Sequence, residues 1–261
     1  FEYPDIDTGN SLRFNLSEMS EKDWVDVILT NPPFGGEEED SIKKNFPPNR
    51  ATKETALLFL MLIMRRLRQR PTAGRAAVVF PNGVLFGDNA CAKIKEDLLK
   101  EYNLHTIVRL PNGVFAPYTG IPTNILFFDR SQPTNEIWYY EIPLPEGRKN
   151  YTKTKPIQDE AFADCLAWWH NREENQQAWK YDFRAAYHQA KTEAEVYWEQ
   201  GEQAKGDAIY WAIYNLDKKN PNSQSDFEHL PPEQLVADIL EKDRRVAEIM
   251  AEIESILGTG A

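Results

Sequence analysis

Two spacings of apolar residues alternate through the first 142 positions, short runs rich in β-branched and aromatic residues and longer stretches of helical period. Residues 25–30 (VDVILT) predict a strand that runs straight into Asn31-Pro32-Pro33-Phe34. A charged loop at 35–53 follows, and 54–70 (ETALLFLMLIMRRLRQR) reads as a buried helix of strong helix formers stopped by Pro71 and Gly74. Residues 76–80 predict a short buried strand, Asp88 caps a helix running to about Glu101, and 105–110 form another strand. Beyond a loop rich in Gly and Pro, 123–129 and 136–142 are both strand-like and read as a terminal hairpin. The predicted class is α/β, a doubly wound sheet with an antiparallel edge.

The texture changes near Pro143. A polar, turn-like stretch reaches about Tyr151, and beyond it helical spacing dominates, with Trp168, Trp169, Trp179, Trp198 and Trp211 spread through it. This divides the chain into an α/β part at 1–145 and a mainly helical lobe at 146–261. Tryptophans at helical spacing serve packing more often than base stacking. Residues 215–226, with a Pro and several Asn, predict a connecting loop. In the last segment Val236, Ile239, Asp243, Val246, Met250, Ile253 and Leu257 alternate spacings of three and four, an a/d seam interrupted once. Such a seam packs either on a partner's helices or on its own domain.

The chemistry gathers at Asn31-Pro32-Pro33-Phe34. Open α/β sheets place ligand crevices at the carboxyl ends of their strands, where this tetrapeptide is predicted to lie. The Asn31 amide oxygen is an acceptor, and the prolines offer carbonyls but no N–H. That combination suits an exocyclic NH2: two hydrogen bonds, to Asn31 and to the Pro32 carbonyl, hold its lone pair toward an electrophile while Phe34 stacks on the ring. The plain alternative is a strand followed by a Pro-rich turn, with Phe34 in the core.

The motif resembles the catalytic signature of amino-group methyltransferases that use S-adenosylmethionine. Gly9-Asn10-Ser11-Leu12, Pro81-Asn82-Gly83-Val84-Leu85-Phe86, LPNGVFAPYTGIPTNILFFDR from Leu110 and YNLDKKNPN from Tyr214, in this order, are similar to the modification subunit of type I restriction-modification systems. The resemblance covers nearly all of the chain. It implies N6-adenine DNA methylation with S-adenosylmethionine, DNA reached through an assembled complex, and specificity and restriction subunits as partners. Asn31, Pro32, Pro33 and Phe34 become the catalytic group, Asn10 a residue approaching the target base, and Val246, Met250, Ile253 and Leu257 a seam for the specificity subunit. The donor loop of the family, D-P-x-C-G-x-G, has no counterpart in these 261 residues. The family's strand order is three, two, one, four, five, seven, six, so the chain corresponds to the carboxyl-terminal half of a Rossmann-like methyltransferase sheet. Its first strand is then expected to have an open edge and the chain alone to bind the donor poorly.

Charge bears on how DNA is met. A net charge of −11 and a pI near 5.0 repel phosphates overall. The expectation is that other subunits supply most backbone contacts and that Lys43 and Lys44, with Arg50 and Lys53, help beside an extruded base. A solvated loop balancing Glu37, Glu38, Glu39 and Asp40 accounts for these lysines equally well. At 41% apolar residues the chain supports a proper core, and its longest apolar run, residues 56–64, is too short to span a bilayer. Cys91 and Cys165 have no metal-ligand spacing and suit a reducing cytoplasm, and the four histidines form no motif. Two rivals stand beside DNA methylation: amino-group methylation of RNA or protein, and a noncatalytic assembly module acting through the last helix.

Overall fold

A computed structural model describes residue 4, residues 6–87 and 89–222, and residues 244, 246, 249 and 250. Alternation drives its sheet. In β2 (Arg75–Pro81), Ala76, Val78 and Phe80 are buried while the residues between them are not, so one face of the strand packs into the core. The same applies to β3 (Asn103–Arg109), β4 (Thr123–Asp129) and β5 (Glu136–Glu141), which place Ile107, Leu126, Phe128, Ile137 and Tyr139 on that face. With β1 (Val27–Thr30) and β6 (Ala178–Asp182) they form a six-stranded mixed sheet in the order β1-β2-β4-β3-β5-β6.

The helices are α1 (Asp40–Lys43), α2 (Thr55–Arg66), α3 (Gly83–Phe86), α4 (Ala90–Glu101), α5 (Ala163–His170), α6 (Phe183–Glu199) and α7 (Gln203–Ala212). Helix α2 is apolar nearly all round, and eight of its residues from Ala56 to Met64 are buried. It packs with α4 over the core face. It stops at Arg66, four residues short of the expected end, because Leu67 turns extended and Arg68 N–H donates to the Val25 carbonyl at 3.0 Å. On the opposite face α5 covers β3, β5 and β6 with Cys165 and Trp168. Asp88, expected to cap α4, lies outside the described residues.

Two expectations need correction. Residues 123–129 and 136–142 are not hairpin partners: β4 lies antiparallel between β2 and β3, whereas β5 runs parallel to β3 on its far side. The connection passes across the start of β3, where Thr134 is buried and its Oγ1 accepts from Leu104 N–H at 2.8 Å and donates to the Tyr102 carbonyl at 2.7 Å. The antiparallel hairpin of the fold is instead β3–β4. Second, the expected boundary at 145 falls within the sheet: the mainly helical region beyond it also carries β6, antiparallel to β5, and Trp179 stacks on Tyr139 at 5.0 Å. Residues Phe1–Asn222 therefore form one compact unit that crosses the expected boundary, and Ser223–Ala261 form a second.

Parallel strands β1, β2, β3 and β5 all point their carboxyl ends to one rim of the sheet. Among the described residues β1 pairs only with β2, which leaves its other edge open, and Val27 and Leu29 are 47% and 77% exposed. Among the described residues no helix is long and apolar enough to cross a membrane.

Candidate active site

Asn31 follows β1 directly and is exposed, with no hydrogen bond from its side chain to any described residue. Its amide is thus open to solvent at the strand tip. Pro32 is buried and Pro33 exposed, so the fixed φ of each imino acid stiffens a turn anchored on one side only. Phe34 is half-buried, its ring meeting that of Phe115 edge-on at 4.9 Å and 78°.

The segment from Gly35 to Thr55 ties the tetrapeptide to the start of α2. Gly35 and Gly36 take φ of +71° and +93°, which reverses the chain at no steric cost. The Gly36 carbonyl then accepts from Thr55 N–H at 3.3 Å and Thr55 Oγ1 at 3.2 Å. Glu38 N–H donates to the Lys53 carbonyl at 2.9 Å. Burial pushes the Glu54 carboxyl above its usual range in this same junction.

Along the rim, a polar strap crosses the strand ends. Residues 215–222 have the loop conformation expected of them, but they are tied down throughout. Asp217 accepts from Arg109 Nη2 at 2.9 Å and from Asn82 Nδ2 at 3.3 Å, and Arg109 also donates to the Lys218 carbonyl at 2.6 Å. Asn124, buried at the start of β4, donates to Asn82 Oδ1 at 2.9 Å. Leu216 N–H donates to the Leu85 carbonyl at 2.8 Å, and the Leu216 carbonyl accepts from the buried Tyr139 hydroxyl at 2.8 Å. Asn220 closes the series on Glu141 Oε2 at 3.0 Å. Burial drives the Tyr139 hydroxyl far above its ordinary value, so it stays a neutral donor.

The other residues singled out from the sequence lie elsewhere in the network of contacts. Asn10 caps a short 3-10 turn, its Oδ1 accepting from Leu12 N–H at 2.9 Å. Lys43 pairs with Asp40 at 3.0 Å, and Lys53 pairs with the same carboxylate at 3.5 Å. Lys44 lines a cavity of about 660 Å³ together with Arg50, Arg65, Tyr102 and Arg130. Among the described residues no hydrogen bond or ring contact joins Asn10, Lys43 or Lys44 to Asn31 or Phe34. Val246 and Met250 are helical and 59% and 52% exposed, with Ile249 at 43% on the same side; Ile253 and Leu257 lie outside the described residues. Phe115 and the strap residues were not picked out individually, although both fall in strings that carry the resemblance. Buried Asn124 inside an apolar strand was the available signal.

The described residues do not form a cradle for S-adenosylmethionine. Beside the strand tip the sheet edge offers two exposed aliphatic side chains, and the sequence supplies no glycine-rich turn to meet it. The Asn31 amide oxygen at the strand tip is an acceptor of the kind that an amine needs.

Residues 1–228 match the model of the N-6 DNA Methylase family. The chain is 47% identical over 256 residues to the type I restriction enzyme EcoEI methylase subunit of Escherichia coli, covering 95% of this chain and 46% of that protein. A crystal structure of a modification subunit assigned to a type I restriction enzyme from Vibrio vulnificus YJ016 superposes with a TM-score of 0.76 at 55% identity, covering 87% of this chain and 44% of that one. A structure solved for complex assembly and conformational transition of a type I restriction-modification system gives 0.68 at 36% identity, over 99% and 50%. The chain spans about half the length of the relatives it matches.

Proposed function

Because this chain belongs to the N-6 DNA methylase family, we propose that it is the base-holding part of a DNA-methylating modification subunit of a type I restriction-modification complex. The observation that carries the reading is Asn31, an exposed amide at a strand tip with no hydrogen bond to a described residue, followed by a half-buried aromatic ring. The substrate proposed is an adenine turned out of duplex DNA, at a cost of a few kcal/mol. Its N6 amine donates to Asn31 Oδ1 and to the Pro32 carbonyl, while Phe34 covers the ring and Phe115 supports Phe34 from its edge. Held by both hydrogens, the amine presents its lone pair away from the turn, and orientation of this kind lowers barriers by up to roughly 7–11 kcal/mol in ideal cases.

S-adenosylmethionine is proposed as the methyl source of the longer protein, bound by residues outside this chain. Partner subunits are proposed to bring sequence recognition, with Val246, Met250, Ile253 and Leu257 as the docking seam. The test is Asn31→Ala in the full-length protein assembled with its partner subunits. Loss of one aimed hydrogen-bonding group costs about 100-fold or more in turnover, with assembly intact; methylation at the wild-type rate would overturn the assignment. For the chain alone, calorimetric titration with S-adenosylmethionine is expected to give no binding in the micromolar range.

A further inference from the structure

We propose that the loop formed by residues 145–155 is a phosphate-binding surface that holds the DNA backbone beside the extruded base. The inference rests on the proposed role of Asn31 and Phe34. In a chain of net charge −11, this loop carries Arg148, Lys149, Lys153 and Lys155 against one carboxylate, Glu146. All four cations are exposed, and none makes an ion pair with a described residue. Ten cations elsewhere, among them Arg13, Lys43, Arg50, Arg68 and Arg109, face a carboxylate; exposed Lys22, Lys44, Lys93 and Lys219 make no ion pair with a described residue either, and what sets 148–155 apart is that four such cations gather in one loop.

Position links the loop to the rim. Tyr151 is buried and its N–H donates to the Asn112 carbonyl at 2.8 Å. The two segments approach so closely at the next residue that a side chain on Gly113, whose φ is +80°, would run into the Tyr151 carbonyl. Gly113 lies two residues before Phe115, at most about 7 Å along the chain, and the Phe115 ring touches Phe34. Anchoring is local as well: Thr152 and Lys155 exchange backbone hydrogen bonds at 3.1 and 3.2 Å, and Arg148 lies over the Tyr151 ring. Four cations without an ion pair among the described residues are therefore displayed from an anchored loop, one segment away from the proposed base site. Exposed Thr152 and Thr154 add neutral donors, which suit phosphate oxygens.

Fixed cations meeting phosphates release counterions, so binding should weaken steeply with salt. Each contact contributes about 0.9 to the slope of log K against log salt. The experiment compares the full-length protein, in its complex, with a variant carrying Gln at 148, 149, 153 and 155. Duplex binding is followed by fluorescence anisotropy across a salt series, and methylation by KM for DNA and kcat. The variant is expected to bind about tenfold or more weakly near physiological salt, with a slope shallower by about 2–4, and kcat at saturating DNA within about twofold. Lys149→Gln and Lys153→Gln alone should each flatten the slope by about 0.9, and Lys→Arg at 149, 153 and 155 should keep it. Unchanged affinity and slope, with methylation intact, overturns this inference and leaves the base-site reading standing. Salt-dependent binding lost in the Gln variant, in a complex that methylates no adenine, supports the inference and removes the base-site reading.

Discussion

Replacing Asp217 with Ala takes away the acceptor on which two strand ends converge. Asp217 accepts from Arg109 at 2.9 Å and from Asn82 at 3.3 Å. The Arg109 side chain is 19% exposed and that of Asp217 34%. Their pairing therefore stands between an exposed ion pair, worth about 0–1 kcal/mol, and a fully buried one, whose disruption costs about 3–5 kcal/mol. Arg109 retains the Lys218 carbonyl and Glu141, which softens the loss. Hydrogen bonds to charged groups contribute about 1.5–3 kcal/mol, so about 2 kcal/mol is expected here. For a unit of this size each kcal/mol moves Tm by about 2–4 °C, giving a fall of about 4–8 °C.

Thermal and urea unfolding of the 261-residue chain, followed by near-UV circular dichroism, measure that loss directly. The urea midpoint should fall with the m-value unchanged, since the perturbation weakens the native state without altering its compactness. Asp217→Asn keeps an acceptor toward Asn82 and loses only the charge, so its fall should be smaller. A Tm for Asp217→Ala within about 1 °C of wild type would refute the idea that the strap secures the rim, because even a surface pair of this geometry approaches that effect.

Other consequences are simpler. Burial pushes the Glu96 carboxyl up, but hydrogen bonds from Lys100 and Tyr210 and the Lys100 charge outweigh it and hold the group below its ordinary 4.5. A depressed folded value adds stability above pH 4.5 that drains away as pH falls through it, so Glu96→Gln should flatten the acid limb of stability, read as urea midpoints from about pH 3 to pH 6; parallel limbs would reject this. Leu29→Ser, at a site 77% exposed, should change the stability of this chain by less than about 0.5 kcal/mol, whereas Leu58→Ala in the core should cost about 2–5 kcal/mol by the same assay. Phe115→Leu keeps apolar bulk but removes the ring edge from Phe34, an interaction of about 0.5–1.5 kcal/mol; kcat/KM of the assembled protein for DNA should fall about 2- to 13-fold, and an unchanged value would mean the contact does not orient Phe34.

The legible parts of the chain were those in which one physical signal acted alone. Residues 25–34 combine β-type residues with a proline stop, and strand, tip and turn lie where that pattern places them. Helix α2 was legible for the same reason, its end being set by a backbone contact that no local pattern encodes. Strand β6 was not legible: five residues, AWKYD, sit between helical segments, and their alternation has meaning only beside Tyr139. The pairing of β5 failed likewise, because a six-residue connection fits a hairpin or a crossing equally well until Thr134 is seen satisfying the start of β3. The strap was read as a loop, correctly in conformation, while its bonds to Asn82, Arg109 and Glu141 depend on partners 79 to 135 positions away.

Lys43 and Lys44 stand near Asn31 in sequence, a different kind of signal. Electrostatics is decided by nearness in space within about 8–10 Å, beyond which salt screens exposed charges. Asp40 sits on the same short helix and engages Lys43, so a phosphate there would have to displace a carboxylate already in place. Loop 145–155 is more than a hundred residues from Asn31 yet joins the rim through Tyr151 and Phe115, and among the described residues its cations have no carboxylate to surrender. The same screening reconciles a net charge of −11 with the proposed DNA substrate. Most acids here act at their own ion pairs or into solvent, and a backbone lying against one loop experiences that loop. An acidic chain can thus receive DNA at one edge, and on the proposed reading that edge is the one that brings a base to Asn31.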